Sequence, residues 1–245
     1  MTKECFAAFE SFVEYSQQIE KLLTLSIHAI SGLEGSGKLV DVLNEGVLDG
    51  ERPKYSPEHV AHIHAMEELA ASQTALGHPM LIAHSVVALW SALEASIPAF
   101  CSDWIVANPS CLSSDGMARI KISAIFLAGT DRRSAAEAIV EEISRQLDAS
   151  LRPGIGRFQG VLEKIGISFP IEDDVRRTLF ELSKVRNLIV HRFGRADRKF
   201  VEECSGFALN VGDELRLTLD HYAQYRRAAG EYAAQIVLCA RRTSY

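Results

Sequence analysis

No CxxC pair occurs in the 245 residues, and the five cysteines, Cys5, Cys101, Cys111, Cys204 and Cys239, are odd in number and far apart. They read as reduced thiols in a cytoplasmic protein, not as a disulfide framework. The opening stretch lacks the pattern of a secretory leader, because Glu4, Glu10 and Glu14 interrupt it. No long apolar run is unbroken either. The most apolar window, Met80 to Phe100, carries His84, Ser85, Ser91, Glu94 and Pro98, and so reads as a buried helix that does not span a membrane. An overall excess of positive charge is missing too: the net charge of −6 argues against a surface that tracks nucleic acid everywhere, so any RNA contact must be local. What is present, 47% hydrophobic and 24% charged residues, describes an ordinary globular chain long enough to bury a full core.

Several motifs start and are not completed. Gly32, Gly37 and Lys38 have the spacing of a phosphate-binding loop, but Leu39 stands where a hydroxyl should hold magnesium, and no apolar strand comes before the glycines. A flexible turn is the better reading. Gly154, Gly156 and Gly160 miss the dinucleotide spacing and read as loop geometry. His59, His62 and His64, with His78 and His84 nearby, find no Cys or carboxylate to finish a familiar ligand set. Neither a metal site nor a cofactor is expected.

The periodicity predicts an all-α helical bundle with one small β-hairpin near the C-terminus. Residues 1–77 form a helical extension with a Gly-rich linker, and 78–245 the main helical domain. A first helix covers Lys3 to Ile30. A second starts at the Ser56-Pro57-Glu58 cap and stops before Gly77. The third, Pro79 to about Val106, is apolar nearly all round and belongs at the centre of the bundle, with Pro98 expected to kink or break it. Shorter helices follow at Gly116–Leu127 and Ser134–Ser150, the latter opened by a Ser134–Glu137 capping box. Alternation around Gly212-Asp213 predicts a hairpin pairing Phe207–Val211 with Glu214–Leu217. A last helix runs from about Leu219 to Ala240.

The stretch Glu172 to Gly194 carries the chemistry. Val175, Leu179, Leu182, Val185, Leu188 and Ile189 make one buried stripe of a helix. Glu172, Asp173 and Asp174 sit at its positive end, and Gly194 is placed to end it in a left-handed conformation. Asn187 and His191 are four apart and share a face, whereas Arg186 is turned away from His191 by roughly 140°. Between Arg176 and Lys199, eight basic residues face only two acidic ones, Glu181 and Asp197. Glu94 on the central helix is either a polar partner for Arg186 or a solvent-facing acid.

Arg186, Asn187, three further residues and then His191, near the end of a late amphipathic helix, resemble the RxxxxH motif of the HEPN family. The resemblance covers roughly Pro79 to the C-terminus, and only the motif is specific. It implies an all-helical domain that works as a homodimer and cleaves RNA without a metal, in the setting of a toxin or an antiviral defence effector. Arg186, Asn187 and His191 would be catalytic, with Lys184, Arg192 and Arg195 as RNA contacts. A regulatory partner protein would engage the N-terminal helices. The alternative is a non-catalytic helical dimer that binds nucleotide, RNA or a partner, with His191 as a structural cap.

Overall fold

The computed structural model describes residues 3–46, 55–113, 117, 131–147 and 154–243. Among these are nine α-helices and no β-strand: α1 (Ala7–Ser31), α2 (Ser36–Glu45), α3 (Pro57–Ala75), α4 (Pro79–Ala107), α5 (Arg132–Gln146), α6 (Gly156–Lys164), α7 (Asp173–Arg192), α8 (Arg198–Glu203) and α9 (Leu219–Thr243). The all-α reading holds.

Helix α4 is the axis. Its buried residues, among them Ile82, Leu89, Leu93, Ile97 and Phe100, lie on several sides, so it packs against α1, α5, α6, α7 and α9 together. By length and composition it is apolar enough to cross a membrane. In this fold those residues are covered by other helices, which is where the hydrophobic effect places them in a bundle. Phe6 and Phe9 bring their rings within 6.1 and 5.1 Å of Phe100 and draw the start of the chain into the same core. Helices α2 and α3 lie outside it, packing on each other and, through α3, on α1.

Pro98 does not break α4. Its ring is on the exposed face. The carbonyl it leaves without an N–H donor belongs to Glu94, on that same face, where water can replace the lost bond. Buried Ile97, Phe100 and Cys101 hold the helix on its other side.

The Gly-rich linker is not simply a turn, because it contains α2. Glu67 of α3 places its carboxylate at the N-terminus of that helix and accepts from the N–H groups of Gly35 (2.6 Å) and Gly37 (3.1 Å). The backbone does cradle an anion as the glycine pattern hinted, and the anion is the chain's own Glu67. Helix α5 is capped by Asp131 and not by Ser134: the Asp131 carboxylate accepts from the N–H groups of Arg133 and Ser134, and also from the Ser134 hydroxyl. The expected helix at Gly116–Leu127 lies outside the described residues except for Met117.

The C-terminal hairpin does not form. Gly212 makes the left-handed turn (φ 94°), and Asp213 N donates to Asn210 O to close it. The first limb is diverted by a 3-10 turn at Ser205–Phe207 and by left-handed Ala208. The second limb pairs instead with the loop after α7. Leu215 N donates to Gly194 O (2.8 Å), Gly212 N to Ala196 O (2.7 Å) and Ala196 N to Asp213 O (2.9 Å), leaving one antiparallel bridge, Arg195 with Glu214. Burial of Leu215 and Leu217 on the core favours this pairing over a free-standing hairpin, which is marginal in water.

Candidate functional site

Helix α7 forms as the sequence predicts. Asp173 and Asp174 occupy its first turn, and Leu179, Leu182, Val185 and Leu188 are buried against α4 and α9. One further tie to α9 is polar: the Tyr225 hydroxyl donates to Glu181 Oε1 at 2.7 Å. The stripe therefore fixes the rotation of α7, and with it the direction in which the motif side chains point.

At the C-terminal end two residues are left-handed in succession, Phe193 (φ 54°) and Gly194 (φ 74°), and Gly194 N donates to Leu188 O. Gly194 was expected to carry that conformation alone. Phe193 shares it and is 91% exposed, a bulky residue in a backbone region that disfavours it. It sits two residues from His191.

Arg186 and His191 look into different clefts. His191 is exposed and opens into a depression of about 310 Å³ lined by Lys184, Asn187, Arg192, Lys199 and Glu203, among others. Arg186 lines a second one of about 220 Å³, beside Glu94 and Arg157. Lys184 and Asn187 line both and form the wall between them. The 140° offset read from the sequence is realised as two adjoining clefts.

Arg186 is held. Its Nη1 donates to Asn187 Oδ1 (3.1 Å), and its Nη2 to Glu94 Oε2 (3.3 Å). Glu94 fills both roles open to it, since it pairs with Arg186 and is exposed to solvent. Asn187 thus acts on Arg186, while its amide nitrogen stays free to donate into either cleft. The Nε of Arg186 is buried with no acceptor among the described residues.

The three residues expected to contact RNA differ in how freely they can do so. Lys184 is only 13% exposed, pairs with Glu203 at 2.5 Å and lies 4.8 Å over the Phe180 ring. Arg192 is exposed, with its Nε 3.6 Å from Asp197 Oδ2. Arg195 is exposed and donates to Gly212 O at 3.4 Å. Lys199, which faces the His191 cleft, has no acid within pairing distance among the described residues.

Sequence reasoning missed Arg157 as part of the site, because it comes from α6 and no local pattern links it to the motif. Lys199 and Phe193 were legible only as a count of charges and a neighbour of the glycine stop. Among the described residues no three His, Cys, Asp or Glu side chains converge as a metal site. Comparison of the chain with protein-family models, with curated proteins and with solved structures finds no match. A functional reading therefore has to come from the two clefts.

Proposed function

We propose that the chain is a metal-independent endoribonuclease of HEPN type, acting as a homodimer. The observation that carries this reading is the exposure of His191 in an open cleft that Lys184, Arg192 and Lys199 line together with Asp197 and Glu203, joined across Asn187 to the cleft of Arg186. A histidine retained only as a helix cap has no need of such a cleft.

RNA brings its own nucleophile. The 2′-hydroxyl attacks the adjacent phosphorus, a P–O2′ bond forms, and the P–O5′ bond breaks. The proton of the 2′-hydroxyl passes to a base, and a proton from an acid reaches the departing 5′-oxygen. The products are a 2′,3′-cyclic phosphate and a 5′-hydroxyl. Imidazole suits either proton transfer near neutral pH. The planar guanidinium of Arg186 suits the charge that builds on the non-bridging oxygens, and Glu94 and Asn187 orient it for that task. One protomer offers a single motif histidine. Two motif helices around a twofold axis would supply both an acid and a base, which is the reason for the homodimer. A toxin or antiviral defence effector is the setting in which such an activity would be kept under control, with the N-terminal helices as the place for a regulatory partner.

The second reading, a non-catalytic helical dimer binding RNA, nucleotide or protein, draws on the pairing of Arg186 with Glu94, a contact a purely structural arginine would also make. Cleavage of end-labelled RNA in EDTA, by wild type and His191→Ala in parallel, separates the two. The enzyme reading expects cyclic phosphate ends from wild type and a loss of at least about 100-fold in the variant. Equal cleavage by both proteins would defeat it.

A further inference from the structure

We infer that the cleft between α6 and α7 is a second phosphate-binding subsite, in which Arg157 grips an unreacted phosphate of the RNA strand that is cut beside His191. The identity of the ligand rests on the ribonuclease reading, whereas the anion-binding character of the cleft does not.

Two guanidinium groups on different helices line this cleft, with Glu94 as the acid among its lining residues. Arg186 spends one bond on Glu94 and one on Asn187. Five N–H donors are available on a guanidinium, so three of its donors have no acceptor among the described residues, one of them the buried Nε. Arg157 is exposed, and its Nε donates to the Ser144 hydroxyl of α5. That bond fixes the plane of the group and leaves both Nη atoms without an acidic partner among the described residues. Such a fork matches two oxygens of a phosphate.

The donor set continues past Arg157. Because Asn187 Oδ1 is already engaged by Arg186, its amide nitrogen is the part left to donate, and it lies on the wall shared with the His191 cleft. Lys184 adds charge to the same wall, already partly balanced by Glu203. An extended strand whose reacting phosphate lies over this wall, between Arg186 and His191, would carry a flanking phosphate to Arg157. The cleft of about 220 Å³ is large enough for a phosphate with part of its sugar and too small for a folded helix of RNA.

The test uses the full chain carrying His191→Ala, so that the probe is not cut, and a short single-stranded RNA with a fluorescent 3′ end and no terminal phosphate. Anisotropy titrations compare that background with added Arg157→Gln, Arg157→Lys and, as a control, Arg227→Gln, an exposed arginine of α9. The subsite predicts a loss of roughly tenfold for Arg157→Gln, with the salt dependence reduced by about 0.7 in log–log slope, the share of one strand phosphate. Arg157→Lys recovers part of the affinity, since it keeps the charge and loses the fork. Arg157 is exposed, so equal melting temperatures accompany these changes. An Arg157→Gln affinity and slope equal to those of Arg227→Gln, or no binding by any variant, overturns the subsite. A nucleoside monophosphate that binds with the same dependence on Arg157, while the RNA does not, overturns the strand assignment in favour of a free phosphate. If instead RNA binding depends on Arg157 yet the wild-type chain leaves that RNA whole, the subsite stands and the ribonuclease reading falls.

Discussion

Arg186 Nη2 lies 3.3 Å from Glu94 Oε2, and this contact joins the motif helix α7 to the central helix α4 across 92 residues of sequence. The pair is partly open, with side-chain exposures of 25% and 47%, so its contribution to stability is under about 1 kcal/mol. Its consequence is for aim. Without Glu94 the guanidinium keeps Asn187 alone as a side-chain partner. Glu94→Ala is expected to lower RNA cleavage by about tenfold through kcat, with a melting temperature close to wild type, and Glu94→Gln to fall between the two. Unchanged cleavage by Glu94→Ala would show that the contact does not position the arginine.

Phe193 offers a test of strain. A left-handed non-glycine residue costs about 1–2 kcal/mol, and a side chain 91% exposed recovers almost nothing through packing. Glycine removes that cost and adds roughly 0.4–1 kcal/mol of unfolded-state entropy. Phe193→Gly should therefore stabilise the protein by about 0.5–1 kcal/mol in urea unfolding. Strain of this kind gathers at functional positions, and the same variant is expected to cleave RNA more slowly. A destabilised Phe193→Gly would contradict the account of this turn.

The helices were legible where one physical signal dominated. The apolar stripe of α7, the Ser56-Pro57 start of α3 and the nearly uniform apolarity of α4 each fixed an element from local information. The failures share a different cause. The hairpin around Gly212 has the right turn and the right alternation, but the loop after α7 competes for the same backbone groups and wins through Gly194 and Ala196. Helix α2 hid among glycines because its N-terminal cap, Glu67, lies 30 residues away from Gly37. Arg157 was hidden for the same reason. In the site, as in the fold, what the sequence concealed was contact between distant segments.

The Glu67 cap can be tested by itself. Its carboxylate holds the N–H groups of Gly35 and Gly37, and His64 joins the cluster through Asp41 at 3.1 Å. Glu67→Ala leaves both N–H groups without that partner and is expected to cost about 1 kcal/mol, within the range for a lost helix cap. Amide exchange should quicken in residues 35–45 first, since α2 has few buried contacts, only Gly37 and Val40 being fully covered. Unaltered exchange across α2 would mean that the cap does not sustain the helix.

Alkaline pH gives the last prediction. Cys204 closes helix α8, whose Phe200 and Glu203 line the His191 cleft, and burial pushes its thiol up to about 11, with Glu181 and Glu203 adding to the effect. A raised acid favours the neutral form in the fold. Its stabilising share is complete below the unfolded value of about 9 and is lost as pH rises through about 11. Over that window the loss is at most about 1.4 kcal/mol per pH unit, and less because the site is only partly shielded from water. Burial and the Glu181 bond push Tyr225 upward in the same sense, so wild type alone would not isolate the thiol. Cys204→Ala removes it and keeps the tyrosines. Urea unfolding at pH 8, 9 and 10 should show the variant losing stability more slowly than wild type between pH 9 and 10, with parallel behaviour below pH 9. Parallel curves across the whole range would mean that the thiol is hydrated in solution and that α8 opens far more readily than the packing of its Phe200 against Phe207 implies.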